Sequence, residues 1–289
     1  MNIVINLNKP ADISSQQAVS RVKRIFAAKK AGHAGTLDPL ATGVLVVCLN
    51  EATKIARFLT DLDKEYVVRL KLGEQTDSYD STGRITATKD CSAIRDPDIH
   101  RILPLFTGTI KQTPPAYSAI KIRGQVSYAL ARKGITVEIP ERTITIHSID
   151  FIGFEPPYLD LRVSCSKGTY IRSLCNDIGI SLEVGAHLVS LVRTKTGIFR
   201  IEDSLSIDAL KTADTTSPAF SSIDSAVSHL SEIILDAEAY RRARNGMPIN
   251  ITQGEKGYSP YIRLKSPENI LFGIGKVEEM EIKIERLLK

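Results

Sequence analysis

Residues 2–7 alternate polar and apolar side chains with the period of a half-buried strand, and Lys9-Pro10 ends the run. Ser14, with Gln17 three residues on, has the form of a capping box. Val19, Val22, Ile25 and Phe26 follow at helical spacing, which predicts an amphipathic helix with Arg21, Lys23 and Arg24 on its outer side. From 29 to 43 neither period persists, and glycines on either side of His33 predict an irregular loop. Residues 44–49 then form a continuous apolar run expected of a buried strand. Further strands are expected over 66–72, 143–154 and 158–165, and helices over 128–132 and 170–182. Helices and strands intermix without a regular strand–helix–strand repeat, so the pattern predicts the α+β class with a mixed β-sheet. A second unit begins near Asp236, where AEAYRRARNG predicts a short basic helix ending at Gly246. Pro248 and the runs YIRL, ILFGIGKV and MEIKIERLL after it predict a small β-rich domain.

Composition narrows the class. At 289 residues the chain is long enough for one large domain and a small one, or for two of medium size, and 43% hydrophobic with 25% charged residues excludes a fibrous or disordered chain. The longest apolar stretch, 43–49, is too short to cross a bilayer, and MNIVINLNKP lacks the basic flank and apolar core of a signal peptide, so a cytoplasmic location without membrane association is expected. The four cysteines, at 48, 91, 165 and 175, form no CxxC pair, which suggests neither a disulfide framework nor a zinc site. They are expected as small buried apolar residues.

The net charge of +5 is unevenly spread. Segments 1–60, 111–134 and 162–200 carry +5, +5 and +4, and the stretches between and after them carry −2, −4 and −3. Alternation of this kind is expected if separate parts of the chain converge on one basic cleft for a polyanion, or if charges cluster by chance on solvated faces.

The segment AGHAGTLDPLATGVL, 31–45, is the most unusual in the chain. Asp38 stands between Leu37 and Pro39 in a Gly-rich stretch just before a buried strand, where a carboxylate can be held at the rim of a sheet. The same residues also suit an ordinary Asp-Pro turn. A phosphate-cradling loop is not suggested, because GxxxxGK[ST] is absent. Asp61 and Asp63 could be taken as a metal-dependent hydrolase pair, but no histidine or carboxylate cluster elsewhere in the sequence supports a metal.

GHAGTLDPLATGVL is similar, nearly residue for residue, to the catalytic motif of the tRNA pseudouridine-55 synthases, the B-type family of pseudouridine synthases. Further resemblances follow in order: Lys9-Pro10 to the family's basic N-terminal motif, TDLDKEY at 60–66, QTPPAYSAIKIRGQ at 112–125, KGTYIRSLCNDIG at 167–179 and GAHLVSLVR at 185–193. RRARNG and FGIGKV resemble the family's small PUA RNA-binding domain. The resemblance implies a mixed-sheet catalytic domain over 1–232 and a PUA-like domain over 233–289. It implies a monomeric isomerase that flips out uridine 55 of the tRNA T arm and converts it to pseudouridine with no guide RNA.

The reaction breaks the bond from N1 of uracil to the ribose, turns the base and rejoins it through C5. No redox change or net hydrolysis occurs, so neither a metal nor an organic cofactor is required, and one ionised carboxylate suffices as nucleophile or base. By resemblance that group is Asp38, Arg172 is its cationic partner, and Tyr66 stacks on the flipped uracil. Tyr170 and Leu191 line the pocket, His33 supports the flipped nucleotide, and Lys9 belongs to the substrate-binding basic motif. Lys29, Lys30, Lys121, Arg123, Arg132, Lys133, Lys167 and Arg193, with Lys9, are the candidate phosphate contacts. Two rival readings are a non-catalytic RNA chaperone on the same fold and the guide-dependent branch of the superfamily. The first would be marked by loss of Asp38, Tyr66 or Arg172, and all three are present. The second carries a longer basic C-terminal region, whereas residues 201–289 here are net −3.

Overall fold

The structure, a computed structural model, describes residues 1–117, 121, 122, 125, 126, 128, 139–250, 260–278 and 281–289. The chain opens with strand β1 (Val4–Lys9), helix α1 (Ser15–Ile25), β2 (Ala31–Ala34), β3 (Thr42–Leu49) and α2 (Ala56–Thr60). Next come β4 (Lys64–Leu72), a hairpin of β5 (Glu74–Thr76) and β6 (Ile85–Thr88), α3 (Asp96–Ile102), β7 (Gly108–Gln112), and the short pair β8 (Lys121–Ile122) and β9 (Gln125–Val126). Long strands β10 (Arg142–Glu155) and β11 (Tyr158–Cys165) lead to α4 (Ile171–Ser181), β12 (Ala186–Thr196) and β13 (Phe199–Arg200). The last part holds β14 (Phe220–Ser221), α5 (Ile223–Ala226), β15 (Ser231–Ile234), α6 (Ala237–Arg244), β16 (Ile249–Asn250), β17 (Tyr261–Lys265), β18 (Leu271–Glu278) and β19 (Glu281–Leu287). Of the helix expected over 128–132, only Tyr128 falls within the described residues.

Two compact units divide the chain: residues 1–39, 44–60 and 198–289 form one, and residues 40–43 and 61–197 the other. In the first unit the predicted capping box is formed, Ser14 Oγ accepting from Gln17 N at 3.1 Å and Gln17 Oε1 accepting from Ser14 N at 2.8 Å. Its helix, α1, buries Ala18, Val19 and Val22 and leaves Arg21, Lys23 and Arg24 exposed. β1 lies between β14 and β3, whose Val44 to Leu49 are fully buried. The irregular loop expected over 29–43 is interrupted by β2, which pairs antiparallel with β3 from Ala31 opposite Leu49 to Ala34 opposite Val46. Ala-Gly-His-Ala has no alternation to betray a strand; it extends because β3 offers unpaired backbone groups beside it.

The same unit contains the predicted β-rich terminal part, a sheet among the described residues in the order β15-β17-β18-β19-β16. Its core is Leu235, Ala243, Ile249, Ile262, Leu264, Phe272 and Ile282. α6 is capped by Asp236, whose Oδ1 accepts from Ala239 N at 2.8 Å. Residues 51–58 hold this sheet: Arg57 pairs with Glu285 at 2.6 Å, Lys54 Nζ donates to Leu287 O at 2.8 Å, and the Phe58 and Tyr261 rings meet edge to face at 5.0 Å.

The second unit is a sheet in the order β12-β4-β11-β10-β7, antiparallel throughout, with Thr42-Gly43 running parallel along Val192-Arg193 of β12. This is the mixed sheet of an α+β fold. Along β4, Lys64, Tyr66, Val68, Leu70 and Leu72 share the buried face, as a period of two requires. α4 packs on β12, and Gly179 lets it do so: a Cβ there would collide with Ala186 N.

Candidate active site

The backbone on both sides of Asp38 is fixed. Ser15 Oγ donates to Leu37 O at 2.9 Å and accepts from Leu37 N at 2.8 Å, so one buried hydroxyl satisfies both peptide groups of the preceding residue. On the other side, Pro39 O accepts from Asp12 N at 2.9 Å and from Lys9 Nζ at 3.3 Å. Lys9 Nζ also donates to Pro10 O at 2.7 Å and Ile13 O at 2.8 Å. The side chain of Asp38 itself is half-buried.

This arrangement corrects one expectation. Lys9 has no exposed surface, so it does not offer its ammonium to a phosphate; it gathers carbonyl groups of the segments around Asp38. Lys29 and Lys30 remain exposed, their backbone N–H groups donating to Asn50 Oδ1 at 2.9 and 3.1 Å. His33 lies half-buried on β2 opposite Val47.

In the second unit Tyr66 is 8% exposed and sits in register between Val163 of β11 and Arg193 of β12. Arg193, 1% exposed, is among the largest fully buried side chains, which removes it too from the phosphate contacts expected of it. On its other side runs Gly43, at φ 95°, where any Cβ would collide with Arg193 O. Leu191 is buried opposite Val68. Two residues before Tyr66, on the same face of β4, Lys64 is buried, and burial with the nearby Arg193 charge pushes its ammonium down to about 8.

Arg172 is the second residue of α4 and 6% exposed, so it is not a surface arginine. Its Nη1 lies 3.4 Å from Asp80 Oδ2 and donates to Ser78 O at 3.3 Å, while Nη2 donates to Tyr117 O at 2.9 Å. Sequence reasoning misses Asp80. Its Oδ1 accepts from Ser78 Oγ at 2.7 Å, Thr82 Oγ1 at 2.6 Å and Thr82 N at 3.0 Å, leaving Oδ2 toward the guanidinium. The turn-rich run DSYDSTG around it signals an ordered turn and nothing about which cation it faces.

The QTPPAY block braces the TYIRS block directly. Tyr170, half-buried, precedes α4, and the Gln112 side chain bonds its backbone twice, Oε1 accepting from Tyr170 N at 2.8 Å and Nε2 donating to Tyr170 O at 3.0 Å. Ser173 Oγ donates to Thr113 O at 2.8 Å.

Other candidates lie elsewhere. Lys167 is exposed and pairs with Asp61 at 2.8 Å, while Asp63 pairs with His147 at 3.1 Å, so the two aspartates each meet a different base. Among the described residues no group of three His, Cys, Asp or Glu side chains is placed to hold a metal. Lys121 contributes backbone to β8, and Arg123, Arg132 and Lys133 lie outside the described residues. Arg241, Arg242 and Arg244 are exposed on α6. The cysteines are free; Cys48, Cys165 and Cys175 are buried, but Cys91 is only half-buried, against expectation. Burial pushes the Cys48 and Cys165 thiols up to about 12 and about 11.

Comparison with known proteins gives a consistent picture. Residues 23–171 match the N-terminal domain of the TruB family of pseudouridylate synthases, and residues 172–240 match the C-terminal domain of tRNA pseudouridylate synthase B. A tRNA pseudouridine synthase B of Pelotomaculum thermopropionicum is 44% identical, covering 94% of this chain and 90% of the relative. One from Clostridium tetani is 41% identical over the full length of both chains. Among solved structures, a Cbf5-Nop10-Gar1 complex contains a chain of similar fold, with a TM-score of 0.75 at 26% identity, covering 99% of this chain and 84% of that one.

Proposed function

The chain belongs to the TruB family of pseudouridylate synthases, which makes it an isomerase, and from that premise we propose that it converts uridine 55 in the T loop of tRNA to pseudouridine without a guide RNA. Asp38 serves as the ionised carboxylate of the reaction. Tyr66 stacks on the extruded uracil, and its hydroxyl assists removal of the C5 proton. Arg172 supplies the positive charge that keeps the carboxylate ionised, Tyr170 and Leu191 line the base pocket, and His33 supports the flipped nucleotide. The N1–C1′ bond breaks, a C5–C1′ bond forms, the proton leaves C5 and N1 is protonated, so the atoms balance with no cofactor. Lys29, Lys30, Lys121, Arg123 and Lys167 are the proposed phosphate contacts. The terminal part, with Arg241, Arg242 and Arg244, is a PUA-like RNA-binding appendage.

The observation that carries this reading is the double anchorage of the Asp38 loop, by Ser15 on Leu37 and by Lys9 and Asp12 on Pro39. A carboxylate that acts on one atom of a flipped nucleotide gains from a backbone that cannot shift, because geometry held in advance lowers the barrier. The relatives named tRNA pseudouridine synthase B support tRNA as the substrate. Carbodiimide mapping by primer extension tests it: an unmodified tRNA transcript incubated with the protein alone acquires a single stop, one nucleotide 3′ of position 55. A stop elsewhere, or one that requires an added guide RNA, removes the proposal.

A further inference from the structure

Helix α4 starts without a side-chain cap of its own. α1, α5 and α6 are each preceded by a Ser or Asp whose side-chain oxygen accepts from the first turn, whereas the residue before α4 is Tyr170, which makes no such bond. Gln112 reaches that start from the last position of β7. It is 3% exposed, its backbone is opposite Arg142 of β10, and its amide both accepts from Tyr170 N and donates to Tyr170 O. Of the side chains that carry no charge at pH 7 when unperturbed, only a primary amide presents an acceptor and a donor side by side in this way, and asparagine is one methylene shorter. The contact imitates one rung of a β-ladder, made by a side chain, and it fixes the peptide groups flanking the point where the helix begins.

Two residues on is Arg172, whose guanidinium is aimed at Asp80 Oδ2, Ser78 O and Tyr117 O. Any slip of the first turn of α4 displaces that fork from its acceptors, and misplacement of about 1 Å can cost as much as a hundredfold in rate. Resting on the reading of the chain as a uridine isomerase, we propose that Gln112 is a positioning residue for the reaction: its amide registers Tyr170 and the first turn of α4, and through that turn the guanidinium of Arg172.

The test uses the full chain with Gln112→Ala and Gln112→Glu, and three readings: single-turnover release of tritium from [5-³H]uridine tRNA, tRNA affinity, and hydrogen exchange of the amides of 171–174. Gln112→Ala is expected to slow single turnover by about 30-fold, leave affinity within about threefold and speed exchange at 171–174. The carboxylate introduced by Gln112→Glu keeps the bond from Tyr170 N but opposes Tyr170 O; once protonated it can make both bonds, and burial raises its pKa toward the working range. Its rate is therefore expected to recover toward that of the unsubstituted protein as pH falls from about 8 to about 6, while the Gln112→Ala deficit stays constant. A constant Gln112→Glu deficit, or rates for both variants within threefold of the unsubstituted protein, overturns the proposal. If Gln112→Ala does not fold, the Gln112→Glu profile decides. If the unsubstituted protein releases no tritium, the proposed activity falls instead, and unchanged exchange at 171–174 in Gln112→Ala then overturns the clamp by itself.

Discussion

Lys64 shows how burial on β4 reaches into behaviour in solution. Its ammonium titrates near 8 in the folded chain against an ordinary 10.5, because burial and the Arg193 charge disfavour the proton. The unfolded chain holds that proton to higher pH, so the group's contribution to stability is present above 10.5 and is lost as pH falls through about 8. The stability of Lys64→Met relative to the unsubstituted protein should therefore decline between pH 8 and 10; a pH-independent difference in urea midpoints would contradict this. Asp80 faces the buried guanidinium of Arg172 across 3.4 Å. Asp80→Ala removes the carboxylate 3.4 Å from this buried guanidinium and should cost about 3 kcal/mol in urea unfolding, whereas Asp80→Asn, which retains an acceptor for Ser78 and Thr82, should cost less. Asp38 and Arg172 stand out in the sequence only because their motifs occur in family order. Asp80 and Gln112 do not stand out at all, since a carboxylate's choice of cation and an amide's choice of peptide are decided by tertiary contacts between distant segments.

At the scale of elements, the anchorage of the Asp38 loop depends on where α1 begins. The Ser14 capping box sets the helix start, and that start puts Ser15, its first residue, under Leu37. Ser15→Ala should leave the far-ultraviolet helix signal unchanged, destabilise the chain by about 1–2 kcal/mol and slow single turnover, because the cap survives while two hydrogen bonds to the loop do not. Loss of helix signal together with activity would mean that the serine serves the helix alone. Periodicity makes α1, β3, β10, β11, α4, α6 and the terminal strands legible, since each carries a clear period or an apolar run bounded by turn residues. β2 is illegible because its strand character comes from the edge of β3 and not from its own side chains. The terminal sheet was visible as strands, yet the Arg57–Glu285 and Lys54–Leu287 bonds that hold it to residues 51–58 join positions more than two hundred residues apart.

For the molecule as a whole, the three basic segments of the sequence divide into different roles. Lys9 and Arg193 are interior cations, while Lys29 and Lys30 stand in solvent with Arg21, Lys23 and Arg24 of α1. Exposed cations can displace counterions from RNA and interior ones cannot, so Lys29→Ala combined with Lys30→Ala should flatten the dependence of log Kd on log salt by about 2 while lowering tRNA affinity. An unchanged slope would place these lysines away from the RNA. The central claim is chemical, and tritium release tests it most directly. Purified protein without guide RNA, mixed in excess with [5-³H]uridine tRNA transcript, should release one equivalent of tritium per tRNA, Asp38→Asn should release none, and His33→Ala should be slowed far less. Release by Asp38→Asn at the rate of the unsubstituted protein, or none by the unsubstituted protein, would contradict the account.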